Sequence, residues 1–380
     1  MRLGAIQVLA NIPLSGCSMM VVLLAFSLGA TPGQAGLIMM AYGALALVSN
    51  YAGGVVADRK GRWPVVAAGL GASSVAFFAL VLARSPSDLL VLWGLAGMAH
   101  GLYPAALVAL GHSRGEALGP FISRSSLGWA LGYTLAWPLS QAAGSEVLGA
   151  ARLVFLLSGG CYAGAFLLAL GLPRTAEPRL RVPFFSTAIL RKNWSVYFPF
   201  LLRHTGAQAV WIVFTPFLFI PADRGGLGVP LGFIGPIHAL NLFTQALVMR
   251  RIQRWRDDLL IPAGFMLTVA SFLGYALVPS WPLLLPLQVT VAVAWSALYV
   301  GSVSTLLKRN EETATATGIM SSLVSLAHIP GPLAGGFLAE QFGFRGAFVF
   351  AAGMALAGYL LERAGSRMAA DAPGPGPGKA

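Results

Sequence analysis

Four of the five histidines, several amides and one arginine sit inside long apolar runs, where polar side chains are costly and usually functional. His204, Gln208, Trp211 and Thr215 follow i, i+4, i+7, i+11. His238, Asn241 and Gln245 follow i, i+3, i+7, and Gln7, Asn11, Ser15 and Ser18 follow i, i+4, i+8, i+11. Each spacing puts its set on one helix face. One such stripe suits hydrogen bonding between helices as well as it suits a cavity wall. Three of them favour a wet cavity that binds a small solute. Trp295 and Tyr299, with Trp129, Tyr133 and Trp211, either line that cavity or pack behind it.

Arg203 lies ten residues past Asn193, about 15 Å along a helix and near the middle of an apolar run. No Asp or Glu falls mid-run to pair with it. It either binds an anionic group of a solute or bonds to carbonyls and snorkels toward an aqueous surface. The titratable groups in the runs are His100, His204, His238 and His328. Each is a neutral hydrogen-bonding residue or a proton carrier.

The chemistry these residues leave out is informative. Paired buried carboxylates and a His-x-x-x-His metal pair are missing, which disfavours an intramembrane enzyme. No Gly-x-x-x-x-Gly-Lys-Ser/Thr phosphate loop is present, which disfavours an ATP-driven pump. Cys17 and Cys161 both fall in apolar runs and are expected as reduced packing residues. No metal and no cofactor is expected.

Composition dictates what positions these side chains. Of the 380 residues, 57% are apolar and only 10% charged, too few charges to cover a soluble surface. Apolar runs predict an all-α polytopic membrane protein with twelve helices, near 4–28, 33–57, 64–83, 89–110, 119–141 and 151–172, then 194–220, 231–249, 259–278, 282–307, 314–339 and 346–361. Prolines within them, such as Pro13, Pro104, Pro216 and Pro330, are tolerated where neighbours satisfy freed carbonyls. The first run is too long for a signal-peptide core. The net charge is +12, but the basic residues sit in short loops, so lipid explains them and nucleic acid is not expected. Twenty of the 25 Lys and Arg fall on the side of the N-terminus and four on the other, which puts both termini in the cytoplasm.

The division expected is a six-helix bundle over 1–172, a basic linker at 173–193, a second bundle over 194–363 and a disordered tail at 364–380. Ala117, Gly119, Ser126, Leu127 and Gly132 recur at one offset as Ala316, Gly318, Ser325, Leu326 and Gly331, which suggests a duplication. The third, ninth and twelfth runs lack Asn, Gln, His and charge, and the sixth has only Arg152 at its start, so all four suit a lipid-facing position.

Between the second and third runs stands Gly54-Val-Val-Ala-Asp58-Arg59-Lys60-Gly61-Arg62. This closely resembles the signature loop of the major facilitator superfamily, in the place where that family carries it. Gly331-Pro332-Leu-Ala-Gly335-Gly336 is similar to the family's eleventh helix. The resemblance implies two pseudo-symmetric six-helix bundles, with the first, fourth, seventh and tenth helices at the centre. It also implies a gating latch made of Gly54, Asp58, Arg59, Gly61 and Arg62. Physically, Asp58 would meet the free N–H groups of a neighbouring helix start, Gly54 would permit close helix approach and Gly61 a tight turn. The loop after the eighth run, 250–258, lacks the Gly-x-x-x-Asp pattern, so a second latch is not expected.

The function expected is therefore a secondary transporter in the cytoplasmic membrane, moving a small organic solute by alternating access, with proton coupling open. Drug or metabolite efflux and organic-anion uptake compete within that class. A transport-inactive receptor or partner-binding protein is the alternative outside it. Its partners are a small solute and the bilayer, and a monomer is expected. The candidate solute-binding residues are Asn11, Ser15, His100, Arg203, His204, Gln208, Trp211, His238, Asn241, Gln245, Trp295 and Tyr299.

Overall fold

The computed structural model describes residues 2–30, 32–142, 147–173, 180–183, 187–252 and 255–371, and all regular structure among them is helical. The first half holds α1 (Arg2–Leu9), α2 (Ile12–Ser27), α3 (Pro32–Lys60), α4 (Arg62–Ala79), α5 (Pro86–Gly101), α6 (Pro104–Ser113), α7 (Leu118–Ala142) and α8 (Val147–Leu170). A short α9 (Thr187–Lys192) precedes the second half. There follow α10 (Trp194–Phe219), α11 (Leu231–Arg251), α12 (Asp257–Leu277), α13 (Leu284–Arg309), α14 (Thr313–Ala327) and α15 (Pro330–Asp371).

Among the described residues, eight helical stretches are long and apolar enough to cross a membrane. The last, Thr313–Ser366, has 54 residues, enough for two crossings, and Gly343 breaks it with φ 71° and ψ 172°. Helices α7, α10 and α11 carry polar residues within their apolar stretches. Arg124 dilutes the first, Arg203, His204 and Gln208 the second, and His238, Asn241 and Gln245 the third.

The expected first and fourth runs are not single rods. The first breaks at Ala10 and Asn11, just before Pro13, and the fourth at Leu102 and Tyr103, just before Pro104. A proline removes one helical N–H and its ring crowds the carbonyl four residues back, which accounts for both breaks although Leu102 and Tyr103 keep helical angles. The tail expected from residue 364 also differs, because helix continues to Asp371. Ala364, Ala369 and Ala370 are strong helix formers. The Pro-Gly stretch of that tail, 372–380, lies outside the described residues, as do 174–179 and 184–186 of the linker.

One hydrophobic core runs from Leu3 to Leu172 through the first half, and another from Ala207 to Ala352 through the second. The two halves meet chiefly along α3 on α14 and α7 on α11, with α6 also against α14. Gly132 and Gly331, one repeat offset apart, hold matching places: a side chain at Gly132 would strike the Ile12 carbonyl of α2, and one at Gly331 the Thr205 carbonyl of α10. Val75 of α4, Leu167 of α8 and Leu277 of α12 are exposed apolar residues, as a lipid-facing surface requires.

Arg345 shows how a loop cation is used. Its Nη1 donates to the Ala276 carbonyl at 2.7 Å and its Nη2 to the Val278 carbonyl at 3.0 Å. Those carbonyls lie at the C-terminal end of α12, where intrahelical donors run out. Arg345→Met should therefore destabilise the second half by about 1–3 kcal/mol. A lowered Tm of the purified protein in detergent would register this, and an unchanged one would show the cap to be dispensable.

Candidate functional site

Helix α3 ends on Asp58-Arg59-Lys60, and Gly61, with φ 103°, turns the chain into α4. The Asp58 carboxylate is 1% exposed. Its Oδ2 accepts from the Thr315 backbone N and from Thr315 Oγ1, both at 2.7 Å, and its Oδ1 accepts from the Ala314 N at 3.3 Å. These donors are the unsatisfied N–H groups of the first turn of α14, where the helix dipole also favours an anion. Arg62 approaches Asp58 Oδ1 at 3.9 Å and donates to Thr313 Oγ1 at 2.8 Å and to the Ala109 carbonyl at 3.3 Å. Gly54 faces the Ala314 carbonyl at a separation that leaves no room for a Cβ. Arg59 Nε donates to the Val182 carbonyl, and the Leu180 N to the Asp58 carbonyl at 2.8 Å, so the linker is tied to the same helix end.

Further bonds join the halves above this cluster. Ser322 Oγ donates to the Leu47 carbonyl at 2.8 Å, and Asn50 Nδ2 to Ser325 Oγ at 3.3 Å. The second seam is more apolar. Ser126 Oγ donates to Gln245 Oε1 at 3.3 Å, beside a cluster that contains Ile122, Met249, Ile252 and Val303. In the loop 250–258, residues 253 and 254 lie outside the described residues, so Arg254 is not placed.

In the second half, α10 and α13 bring Arg203, His204, Gln208, Trp295 and Tyr299 together. Trp295 stacks on Tyr299 at 5.0 Å and 16°, and His204 on Trp295 at 5.2 Å and 29°. His204 Nε2 is 3.1 Å from Gln208 Nε2, and Phe200 and His328 complete the group. Arg203 sits behind this wall. It is 2% exposed, its Nε donates to Thr268 Oγ1 at 3.1 Å, and its guanidinium carbon is 5.2 Å from the Trp295 ring. No carboxylate among the described residues forms an ion pair with it. A second group is Trp211, His238, Asn241 and Gln245. His238 Nε2 meets Thr215 Oγ1 at 3.1 Å, Gln245 Nε2 donates to Asn241 Oδ1 at 2.6 Å, and Asn241 Nδ2 donates to the Gln288 carbonyl at 3.2 Å.

The first half treats its polar residues differently. Ser15 is fully buried and donates to the Trp129 carbonyl at 2.8 Å, joining α2 to α7. Asn11 stands at the break between α1 and α2 and accepts from Trp129 Nε1 at 3.1 Å. His100 lies among Tyr42, Tyr103 and Tyr162. Tyr42, Tyr162, Thr268 and the Thr313–Thr315 turn are site neighbours that the sequence did not single out. The threonines carried one signal, as the start of a helix after a charged loop. The tyrosines carried none, since each pairs with a residue far away in the chain. Tyr42 Oη, Trp93 Nε1, His204 Nδ1 and both amide atoms of Gln288 are buried without a protein hydrogen-bond partner. Among the described residues, no group of three or more His, Cys, Asp or Glu is placed to hold a metal ion.

Two helical halves, joined at one end by an aspartate on a facing helix start, define a membrane-transporter fold. The Major Facilitator Superfamily pattern matches residues 4–331, and the chain belongs to that family. No curated protein sequence matches it. Among solved structures it is similar to the human organic anion transporter MFSD10 (TETRAN), at 18% identity over 95% of this chain and 97% of that one, with a TM-score of 0.72. It is also similar to the transporter FucP in the outward conformation, at 15% identity, 95% and 97% coverage and a TM-score of 0.72. The nucleoside transporter NupG gives 13% identity, 96% and 98% coverage and a TM-score of 0.66.

The Asp58 cluster makes a graded prediction. Thr315→Ala removes one of the three donors and should weaken the junction modestly. Asp58→Asn removes the charge from all three bonds and should weaken it more, by about 1.5–3 kcal/mol. Disulfide cross-linking between cysteines at Leu47 and Ser322 reads the junction directly. Equal cross-linking rates in both variants and the parent would show that Asp58 does not hold the halves together.

Proposed function

We propose that this chain is a secondary transporter that carries a small organic solute across the cytoplasmic membrane by alternating access, with both termini in the cytoplasm. The observation that carries the reading is where the halves are tied. Their hydrogen bonds run from Leu47 in the middle of α3 to Asp58 at its basic end, with Arg62 of α4, and are met by Thr313–Ser325 of α14. At the opposite end Leu37 and Met40 of α3, Tyr133 of α7 and Phe233 of α11 are exposed. A basic end held closed is one of the two states such a carrier needs. The half-buried Trp295 and Tyr299, with His204 and Gln208, supply a wall on which a solute can stack and hydrogen-bond.

Organic-anion transport, the activity named for MFSD10, is the second reading. Arg203 favours it, because a guanidinium in this setting without an ion-pair partner is costly. Its burial behind Trp295 means that an anion would reach it only after the indole moves. Drug or metabolite efflux remains the competing direction, on the same wall.

Solute flux in proteoliposomes, after a thermal-stabilisation screen of drugs, sugars, amino acids and carboxylates, tests the lead reading. For the solute so found, Gln208→Ala and Trp295→Ala should each raise Kd, by about tenfold for the loss of one good contact. Arg203→Gln should raise Kd by about tenfold or more if the solute is an anion. With a neutral solute it should lower Tm and leave Kd unchanged. No flux for any solute of the screen, in protein that binds one, would favour the receptor reading.

A further inference from the structure

His100 stands one turn from the break between α5 and α6, and its proton inventory can be worked out from its neighbours. Tyr103 Oη donates its single proton to the Ala10 carbonyl at 3.0 Å, at the break between α1 and α2. What Tyr103 Oη offers to His100 Nδ1, 3.2 Å away, is therefore a lone pair. A deprotonated Nδ1 would set lone pair against lone pair at that contact. A protonated Nδ1 makes it a hydrogen bond and lets the same N–H reach Tyr162 Oη at 3.0 Å. Tyr103 thus selects the Nδ1–H tautomer, Tyr162 Oη can accept from the same N–H, and the neutral ring keeps its basic lone pair on Nε2.

Charging the ring costs desolvation, which its neighbours offset only through the bonds at Nδ1. The titratable groups facing it are Tyr103 on its own segment, Tyr42 on α3 and Tyr162 on α8, with Cys17 of α2 behind, bonded to Ser158 one turn from Tyr162. From α4 comes Phe77, which packs on Tyr162. All of these are neutral near pH 7, so a gained proton is neither cancelled nor repelled. The Tyr42 ring lies nearly parallel to the imidazole at 6.1 Å, and the Tyr103 ring stands perpendicular to it at 5.2 Å. Charging the ring also strengthens the Nδ1–H bonds to both phenols.

We propose that His100 is a proton-uptake site of this protein, with Nδ1 held protonated by Tyr103 and Nε2 taking up the proton. Because Tyr103 also ties the break of one helix pair to the break of another, the proton acts at a joint between two discontinuous helices. Its use in coupling rests on the carrier reading above, whereas the proton site itself does not.

Histidine-selective 15N NMR of the full chain in lipid nanodiscs tests the site, with the His100 signal assigned by its loss in His100→Gln. The expected result is an Nδ1–H tautomer with bare Nε2, converting to imidazolium on acidification, and a shift toward the Nε2–H tautomer in Tyr103→Phe. An Nε2–H tautomer in the parent, or no titration between about pH 4 and 8, overturns the proposal. Tyr162→Phe serves as a second variant should Tyr103→Phe fail to fold. Spin labels replacing Lys60 and Lys308 then read the basic end. The ratio of closed to open populations is expected to change at least about threefold over that range in the parent and to be flat in His100→Gln. Two populations that ignore pH would leave the carrier reading standing and remove His100 from coupling. A single population at every pH would count against the carrier reading itself.

Discussion

A buried carboxylate without a close salt bridge organises this molecule. Asp58 is almost wholly excluded from solvent, and its guanidinium neighbour Arg62 stays 3.9 Å away. Desolvating an anion costs several kcal/mol, and a single long ion pair does not offset that. What does is the first turn of α14, which aims two backbone N–H groups and a threonine hydroxyl at the carboxylate. Those donors belong to the other half of the chain. The anion is therefore satisfied only while the halves are together, and separation must expose it to water or to another donor. Close approach of α3 to α14 follows as a requirement, which is why Gly54 and Gly318 face each other at the crossing.

The junction is lopsided for the same reason. Its α3–α14 seam is built from directional bonds, and its α7–α11 seam from an apolar cluster around Ile122 and Met249 with Ser126 bonded to Gln245 and to the Met249 sulfur. An apolar seam loses its contacts gradually as surfaces part, while a buried anion loses its partners over a fraction of an ångström. In the proposed cycle the polar seam would set the threshold for opening and the apolar seam would guide the motion.

Much of this was readable from the residues because the relevant physics is local. Apolar runs define the helices, and the Gly54 to Arg62 spacing defines the turn, the close crossing and the anion. Rotational phase was less readable. The Gln7, Asn11, Ser15, Ser18 stripe presumes one continuous helix. The helix breaks at Ala10 and Asn11, yet Gln7, Asn11 and Ser15 all meet α7, at Ser125 Oγ, the Trp129 indole and the Trp129 carbonyl, so the face serves interhelical bonding. Pro13 was visible, but whether a proline kinks or breaks a helix depends on who takes the freed carbonyls. Here the Ala10 carbonyl at the break accepts a hydrogen bond from Tyr103 Oη, distant in the chain. Arg203 is a similar case. Its depth followed from counting residues, but its direction is set by Thr268 and Trp295, and no spacing within α10 encodes them.

The two halves then handle buried polarity by different means. In the first, His100 is surrounded by phenols and a thiol, groups that exchange or share protons without carrying charge near pH 7. In the second, Arg203 keeps a permanent charge, eased by a hydroxyl on one side and the faces of Trp295 and Phe272 on the others. A group that can gain a charge and a group that cannot lose one respond to opposite stimuli. The imidazole responds to proton concentration, and the guanidinium only to an arriving anion or to movement of the indole that covers it. On the carrier reading, this division assigns energy input to the first half and solute recognition to the second. The α3–α14 junction at Asp58 is the structural link through which one would be felt by the other.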